Sequence, residues 1–201
     1  GVVSEADRFI AHVRQLKDGS WDRPQTLADH LRGTAELAEK FAGKFKSEAW
    51  GRALGFLHDV GKGTDRWQEY LRGKSGYDVD AHLEQKIGKI DHSSPSAKQA
   101  MEHYGPLGRI LAYGIAGHHA GLPDGTGEPR ALDFRLQQAS TSGIADLFRK
   151  VEVAKDSLRP PMAFDSNGLG LSLWMRMLFS SLVDADFLDT ERYMSPELYA
   201  Q

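Results

Sequence analysis

The sequence predicts an all-α protein with a few long loops. Apolar residues recur at three- and four-residue steps through most of the chain, which is the spacing of one face of an α-helix. No segment shows the convincing period-two alternation that is typical of a half-buried strand. With 201 residues, 40% of them hydrophobic, the chain is long enough for one well-buried core. We therefore expect one domain, residues 1–201.

The first helix is expected to follow Thr26, because an acidic residue three positions later completes a capping box. Its apolar stripe runs from Leu27 to Phe41. A second stripe runs from Trp50 to Leu57, and two nearby glycines end it. Further helices are predicted over residues 96–103, 107–115, 136–153 and 171–188.

Three segments lack helical periodicity and are predicted to be loops: residues 73–91, 120–130 and 159–170. They are polar or rich in glycine and proline, which interrupt helices. Long loops in a compact domain commonly carry functional residues. We expect these loops to border a functional site.

The composition excludes several classes of protein and site. Cysteine is absent, so disulfides, thiolate metal sites and cysteine nucleophiles are excluded. No apolar run approaches the roughly 18 residues of a membrane span, and the first residues do not resemble a signal peptide. We therefore expect a cytoplasmic protein without a membrane. The net charge of −3 argues against a protein that binds nucleic acid mainly by electrostatic attraction.

Histidines and aspartates recur at the predicted helix ends and on an inward-facing stripe. A single histidine on an apolar face is usually structural, but burying many such groups without a partner would be costly. Imidazoles are common ligands of transition metals, and carboxylates bridge two ions. The histidines His12, His82 and His103 lie in polar surroundings and are predicted to be on the surface. The candidate metal ligands are His30, His58, Asp59, His92, His118, His119, Asp184 and Asp186.

Residues 58–62 read HDVGK and match the HDxGK signature of the HD phosphohydrolase superfamily. Four further segments resemble one branch of it, the HD nuclease of type I CRISPR interference, which is usually fused to a helicase. They are residues 28–31, 91–93, 117–123 and 181–191. The resemblance covers residues 26–191, with 1–25 and 192–201 as flanking segments. It implies an HD-domain helical bundle with a metal site in its core and long active-site loops.

The resemblance also implies a site for two divalent ions. The first ion would be held by His30, His58, Asp59 and an aspartate of the last helix. Asp59 would bridge to a second ion, held by His92, His118 and His119.

The aspartate of the last helix has two candidates. The Ala-Asp pattern of the superfamily favours Asp186, and Asp184 is the alternative, about 200° away around the helix. Lys62 would stand near the scissile phosphate, so Asp59 and Lys62 are the implied catalytic residues. The donor set suits manganese, iron, nickel, cobalt or zinc, and the branch sometimes uses magnesium.

The implied substrate is single-stranded DNA, which a helicase delivers after a guide-RNA surveillance complex has opened the target. The chain has no phosphate-binding loop of the GxxxxGK[ST] type, so we expect a stand-alone subunit or a fragment of a nuclease-helicase. Trp67 and Tyr70 are candidates for stacking on bases. Candidate contacts to the DNA backbone are Arg66, Lys74, Lys86, Lys89, Lys98, Arg130 and Arg135.

Two other functions compete with this interpretation. The first is a phosphohydrolase of the same superfamily that acts on small nucleotides. The second is a degenerate domain that serves only for docking, and the complete ligand set argues against it. The additional His92 and the histidine pair at 118–119 favour two ions, and hence the nuclease.

Overall fold

The computed structural model describes residues 8–77, 90–119, 129–161, 164 and 168–200. Within these residues the fold is all-α, as the sequence predicts, with one small pair of strands. No helix in these ranges is long and apolar enough to span a bilayer. The helices are α1 (Leu27–Ala42), α2 (Glu48–Leu57), α3 (Asp65–Ser75), α4 (Ser93–Tyr104), α5 (Pro106–Gly117), α6 (Pro129–Gln138), α7 (Ala145–Val151) and α8 (Leu169–Met194).

Helices α1 and α2 pack closely because α2 presents glycines at the crossing. A Cβ atom at Gly51 would overlap the backbone of Ala38, and one at Gly55 would overlap the backbone of Ala35. Helix α8 packs against both α1 and α2. This arrangement brings residues from both ends of the sequence together in one core.

A short antiparallel pair precedes α1, and the expectation of no strands is wrong here. Strand β1 (Ile10–His12) pairs with β2 (Gln25–Thr26). The strands are too short to show alternation in the sequence. The side chain of Gln68 donates to the carbonyl oxygen of Ile10 at 2.9 Å and accepts from its N–H at 2.9 Å, which fastens β1 to α3.

The helix predicted over residues 136–153 is two helices. Residues between α6 and α7 form a turn in which Gly143 has a φ of 84°, a conformation that favours glycine. Helix α3 was not predicted, because its residues are mostly polar and only Trp67 and Gln68 are buried. The N-terminus of α3 is capped by the Thr64 side chain, which accepts from the N–H of Trp67 at 3.1 Å.

The predicted loops lie partly within the described residues. Residues 73–75, predicted to be irregular, form the last turn of α3, and residues 129–130 begin α6. Residues 78–89, 120–128, 162–163 and 165–167 lie outside the described residues. Between α7 and α8, residues 155–157 form a 3₁₀ turn.

Candidate metal centre

Five helices converge on one cluster of imidazoles and carboxylates, which we call the ligand cluster. Helices α1 and α8 contribute from their interior, whereas α2, α4 and α5 contribute from their ends. Among the described residues, the members form two groups whose candidate ligand atoms lie within 4.8 Å of one another. They are His30, His58, Asp59 and Asp186 in the first group, and Asp59, His92, His118 and His119 in the second.

The first group lies between α1, α2 and α8. His30 Nε2 is 3.2 Å from Asp59 Oδ2 and 3.2 Å from Asp186 Oδ1. His58 Nε2 is 3.4 Å from each of the same two oxygens. The two Nε2 atoms are themselves 3.2 Å apart. Four candidate donor atoms therefore point at one small volume.

The second group uses the other oxygen of Asp59. Its Oδ1 atom is 3.1 Å from His92 Nε2, 3.2 Å from His118 Nε2 and 4.0 Å from His119 Nε2. Asp59 is 1% exposed, so neither oxygen is shared with bulk solvent. One buried carboxylate thus faces both groups, in the manner of a carboxylate that bridges two ions.

The end of α2 explains how adjacent residues face the same site. His58 caps α2 with helical dihedral angles, whereas Asp59 leaves the helix with φ −117° and ψ 15°. In a continuing helix the two side chains would diverge by about 100°. The break lets His58 and Asp59 both point into the ligand cluster.

The histidine tautomers make the donor set suitable for a metal. His58 Nδ1 donates to the carbonyl oxygen of Gly55 at 2.7 Å, and His118 Nδ1 donates to that of Ile115 at 2.5 Å. A carbonyl oxygen only accepts, so Nδ1 carries a proton, and each ring can offer its Nε2 lone pair to a metal once Nε2 is deprotonated. His30 Nδ1 likewise faces a carboxylate oxygen. Lone pairs that converge at these distances need a cation between them, and a divalent transition-metal ion fits this nitrogen and oxygen set.

The carboxylates of the first group favour bound cations. Burial lowers the pKa of His30, but Asp186, Asp189 and Asp59 outweigh it and raise the pKa to about 10. Burial also lowers the pKa of His58, and Asp59 and Asp186 raise it to about 9. Without a metal, the first group therefore retains protons at neutral pH, and an ion that binds must displace them.

Two imidazoles of the second group favour the neutral form, and its carboxylate is anionic. Burial, followed by the nearby His118, lowers the pKa of His119 to about 3. Burial also lowers the pKa of His92. Burial raises the pKa of Asp59, but the positive charges of His58 and Lys62 outweigh it and hold that pKa well below its usual range. Metal binding requires a charged carboxylate and neutral imidazole ligands, so these shifts favour it.

The helix ends add to the field at the cluster. Both α2 and α5 present their C-terminal ends, which carry partial negative charge. Helix α4 presents its N-terminal end, and Asp91 caps it by accepting from the N–H groups of Ser93 and Ser94 at 3.0 Å each. The positive end of α4 is thereby offset by a carboxylate, so the surrounding backbone favours cations.

Lys62 lies inside the site. Its Nζ atom is 2.9 Å from Asp59 Oδ2 and 5.1 Å from the ring centre of Trp67, and the residue is 5% exposed. The interpretation of Trp67 as a base-stacking residue is wrong, because its ring is buried on the inner face of α3 against Lys62 and His92. A ring that is 5% exposed has no free face for a base.

The two candidate aspartates of α8 are separated by the structure. Asp186 is a member of the first group, whereas Asp184 is exposed and belongs to neither group of the described residues. This follows from the helical rotation of about 200° between them. Asp184 is therefore not a ligand in this arrangement.

The prediction that His12 lies on the surface is wrong. Strand β1 places its ring edge-on to His30, with the ring centres 4.9 Å apart. Burial, together with the charges of Lys62 and His30, lowers the pKa of His12 to about 4. His103 is exposed, as predicted, and lies 3.0 Å from a carboxylate oxygen of Glu152. His82 lies outside the described residues.

Asp189 and Gln25 border the ligand cluster and were not among the predicted site residues. Asp189 Oδ2 is 2.7 Å from His30 Nδ1 and 2.8 Å from Gln25 Nε2. The position of Asp189, three residues after Asp186, was the available signal, since residues three apart share a helix face. Gln25 gave no signal in the sequence.

The predicted DNA contacts differ in their surroundings. Arg66 and Lys74 are exposed on α3, and Lys74 donates to the Tyr70 hydroxyl at 2.8 Å. Lys98 Nζ donates to the carbonyl oxygen of Ala139 at 2.9 Å, so it holds α4 to the residue after α6. Arg135 donates to the Ser94 hydroxyl and the Ala116 carbonyl oxygen, which ties α6 to α4 and α5. Lys86, Lys89 and the side chain of Arg130 lie outside the described part.

Two comparisons with known proteins bear on this site. The family profile described as HD domain matches residues 27–153, which is more than half of the chain. The matched segment contains the cluster residues of α1, α2, α4 and α5, and the aspartates of α8 lie beyond it. A search of curated proteins found no relative of this chain.

Proposed function

The chain belongs to the HD domain family of metal-dependent phosphohydrolases, and on that premise we propose that it is a nuclease that cuts single-stranded DNA. The observation that carries this proposal is the position of Asp59, whose two oxygens face two separate groups of ligands. A pair of ions suits the displacement at a phosphodiester, where attacking and leaving oxygens both need stabilisation.

The ligand cluster offers two sets of candidate ligands for divalent transition-metal ions. His30, His58 and Asp186 would hold one ion and His92, His118 and His119 the other, with Asp59 between them. When bound, such ions polarise the phosphoryl oxygens and lower the pKa of an attacking water. Manganese, iron, nickel or cobalt suits the histidine-rich donors, with magnesium as a further candidate.

Lys62 would act on the phosphate. Its ammonium group is buried beside Asp59, so its charge is weakly screened by solvent. A fixed cation at this position would offset the negative charge that develops on the phosphoryl oxygens in the transition state. Because Trp67 packs against the lysine side chain, the ammonium group is oriented before substrate binds.

We assign this nuclease to the degradation of foreign DNA in type I CRISPR interference. The support is the resemblance of residues 26–191 to that branch, including the ligand set that the structure brings together. A chain with net charge −3 needs partners to deliver DNA. The proposed partners are a helicase domain or subunit and a guide-RNA surveillance complex, in the cytoplasm.

Cleavage of circular single-stranded DNA tests the proposal. Metal-stripped protein is supplied with manganese, nickel, iron or magnesium, beside the Asp59→Ala variant. Asp184→Ala is the matched control, since it removes an exposed aspartate that faces neither group. We expect metal-dependent cutting by the wild-type protein and by Asp184→Ala, and none by Asp59→Ala.

Two outcomes would contradict the proposal. Cutting by pure Asp59→Ala protein would show that the ligand cluster takes no part in the reaction. An intact circle together with phosphate release from nucleoside phosphates would replace the nuclease with the small-nucleotide phosphohydrolase.

A further inference from the structure

A chain of hydrogen bonds leads outward from the ligand cluster. His30 Nδ1 lies 2.7 Å from Asp189 Oδ2, and Gln25 Nε2 lies 2.8 Å from the same oxygen. The other end of the Gln25 amide, Oε1, lies 2.7 Å from His12 Nδ1. Four residues from β1, β2, α1 and α8 are thus joined on the side of His30 that faces away from the cluster.

Each donor in this series of hydrogen bonds faces an acceptor. A carboxylate only accepts, so both His30 Nδ1 and the Gln25 amide nitrogen donate to Asp189. The amide oxygen of Gln25 then accepts from His12 Nδ1. This order leaves His30 protonated at Nδ1, with its Nε2 atom facing Asp59 and Asp186.

Gly33 on α1 leaves space for the Asp189 carboxylate. A Cβ atom at Gly33 would overlap Asp189 Oδ1. Gly33 lies one helical turn after His30, so the absence of a side chain there lets the Asp189 carboxylate reach the imidazole. The strand pair completes the arrangement, because it places Gln25 opposite His12 and brings the His12 ring edge-on to His30.

We propose that Asp189, supported by Gln25 and His12, is a positioning residue that orients His30 and thereby sets the affinity of the first group for its ion. The inference rests on the proposed two-metal function. A carboxylate that accepts from the distal nitrogen of a histidine ligand fixes its tautomer and orientation and raises its basicity. Removing such a partner typically weakens metal binding about 10–100-fold.

Metal titration of three aspartate variants tests the inference. Manganese is added to metal-stripped wild-type, Asp189→Ala, Asp189→Asn and Asp184→Ala proteins in competition with a chelator, and bound ions are counted. We expect Asp189→Ala to bind one of its two ions about 10–100-fold more weakly and to keep the other. Asp184→Ala is the control, because it removes an exposed aspartate from the same helix.

The asparagine variant separates positioning from a merely structural role. Its amide oxygen still accepts from His30, although it lacks the charge, so we expect an affinity between those of wild type and Asp189→Ala. Thermal unfolding of the metal-free proteins shows whether each variant is folded. Where Asp189→Ala fails to fold, Gly33→Ala replaces it, since the added methyl displaces the carboxylate while keeping it in the chain.

The outcomes for the two proposals are distinguishable. Wild-type protein that binds two ions, with Asp189→Ala binding both at unchanged affinity, overturns the role of Asp189 and leaves the metal centre intact. Wild-type protein that binds no metal overturns both. Equal weakening by Asp189→Ala and Asp184→Ala overturns the positioning role, because an exposed carboxylate has no such contact.

Discussion

Replacing Gly61 with alanine should disrupt the second group, because the added methyl group would overlap the backbone of His92. A Cβ atom built at Gly61 would lie 1.9 Å from the carbonyl oxygen of His92, and real Cβ contacts essentially never fall below 3.0 Å. The backbone must therefore separate by at least about 1.1 Å. The obstructing atom belongs to the backbone, so no side-chain rotation relieves the overlap.

The displacement acts on His92 directly. Its Nε2 atom lies 3.1 Å from Asp59 Oδ1, and metal sites tolerate ligand displacements of only about 0.2 Å. The Gly61 N–H also donates to Ser96 Oγ at 2.8 Å, and that hydroxyl donates to the His92 carbonyl oxygen at 3.0 Å. We expect Gly61→Ala to lose about 1–3 kcal/mol of unfolding free energy, as overpacked sites do. We expect it to bind the second ion at least about tenfold more weakly.

Urea unfolding and ion counting test this expectation together. Gly170→Ala is the matched control, because its Cβ atom would meet Phe164 Cδ1 at 3.5 Å, an ordinary contact. Gly61→Ala protein with two ions at wild-type affinity and unchanged stability would refute the argument.

Three further predictions concern activity, pH and packing. Lys62→Met should retain both ions and lose about 10²–10³-fold in single-turnover cleavage, and an unchanged rate would remove the lysine from catalysis. Metal affinity should rise with pH between about 7 and 9, about tenfold per unit for each proton displaced, because the pKa values of His30 and His58 are raised to about 10 and 9. A metal affinity that does not change with pH in calorimetry would contradict this expected increase. Gly55→Ala should lower the unfolding free energy by about 1–3 kcal/mol, since the methyl overlaps the Ala35 backbone; chemical denaturation measures it.

Strong apolar periodicity made α1, α2 and α5 predictable, whereas elements with weaker local signals were missed or merged. Helix α3 was not predicted because only Trp67 and Gln68 on it are buried, so its sequence has no apolar stripe. The break between α6 and α7 depends on the turn at Gly143, across which the apolar spacing continues. The strand pair is held partly by the distant Gln68, a contact that no local pattern contains.

The candidate metal ligands were easier to predict than their surroundings. His58 and Asp59 stand in a short motif, His92, His118 and His119 fall at helix ends, and His30 lies on the apolar stripe of α1. These positions in the sequence pointed to them. The surroundings depend on which helices pack around the ligands, and tertiary contacts rather than local sequence determine that packing. His12 reads as a surface residue until β1 is placed beside His30, and the choice between Asp184 and Asp186 required the orientation of α8.

The residues of the first group lie far apart in the sequence, so a ribosome synthesises them at different times. His30 and His58 emerge from a ribosome well before Asp186 and Asp189, which lie on α8. A growing polypeptide therefore carries the imidazoles without Asp186, which completes the group, and without Asp189, which contacts His30. The nuclease that we propose would stay inactive until α8 has been translated and has packed against α1, so a nascent chain would not damage nucleic acid beside it.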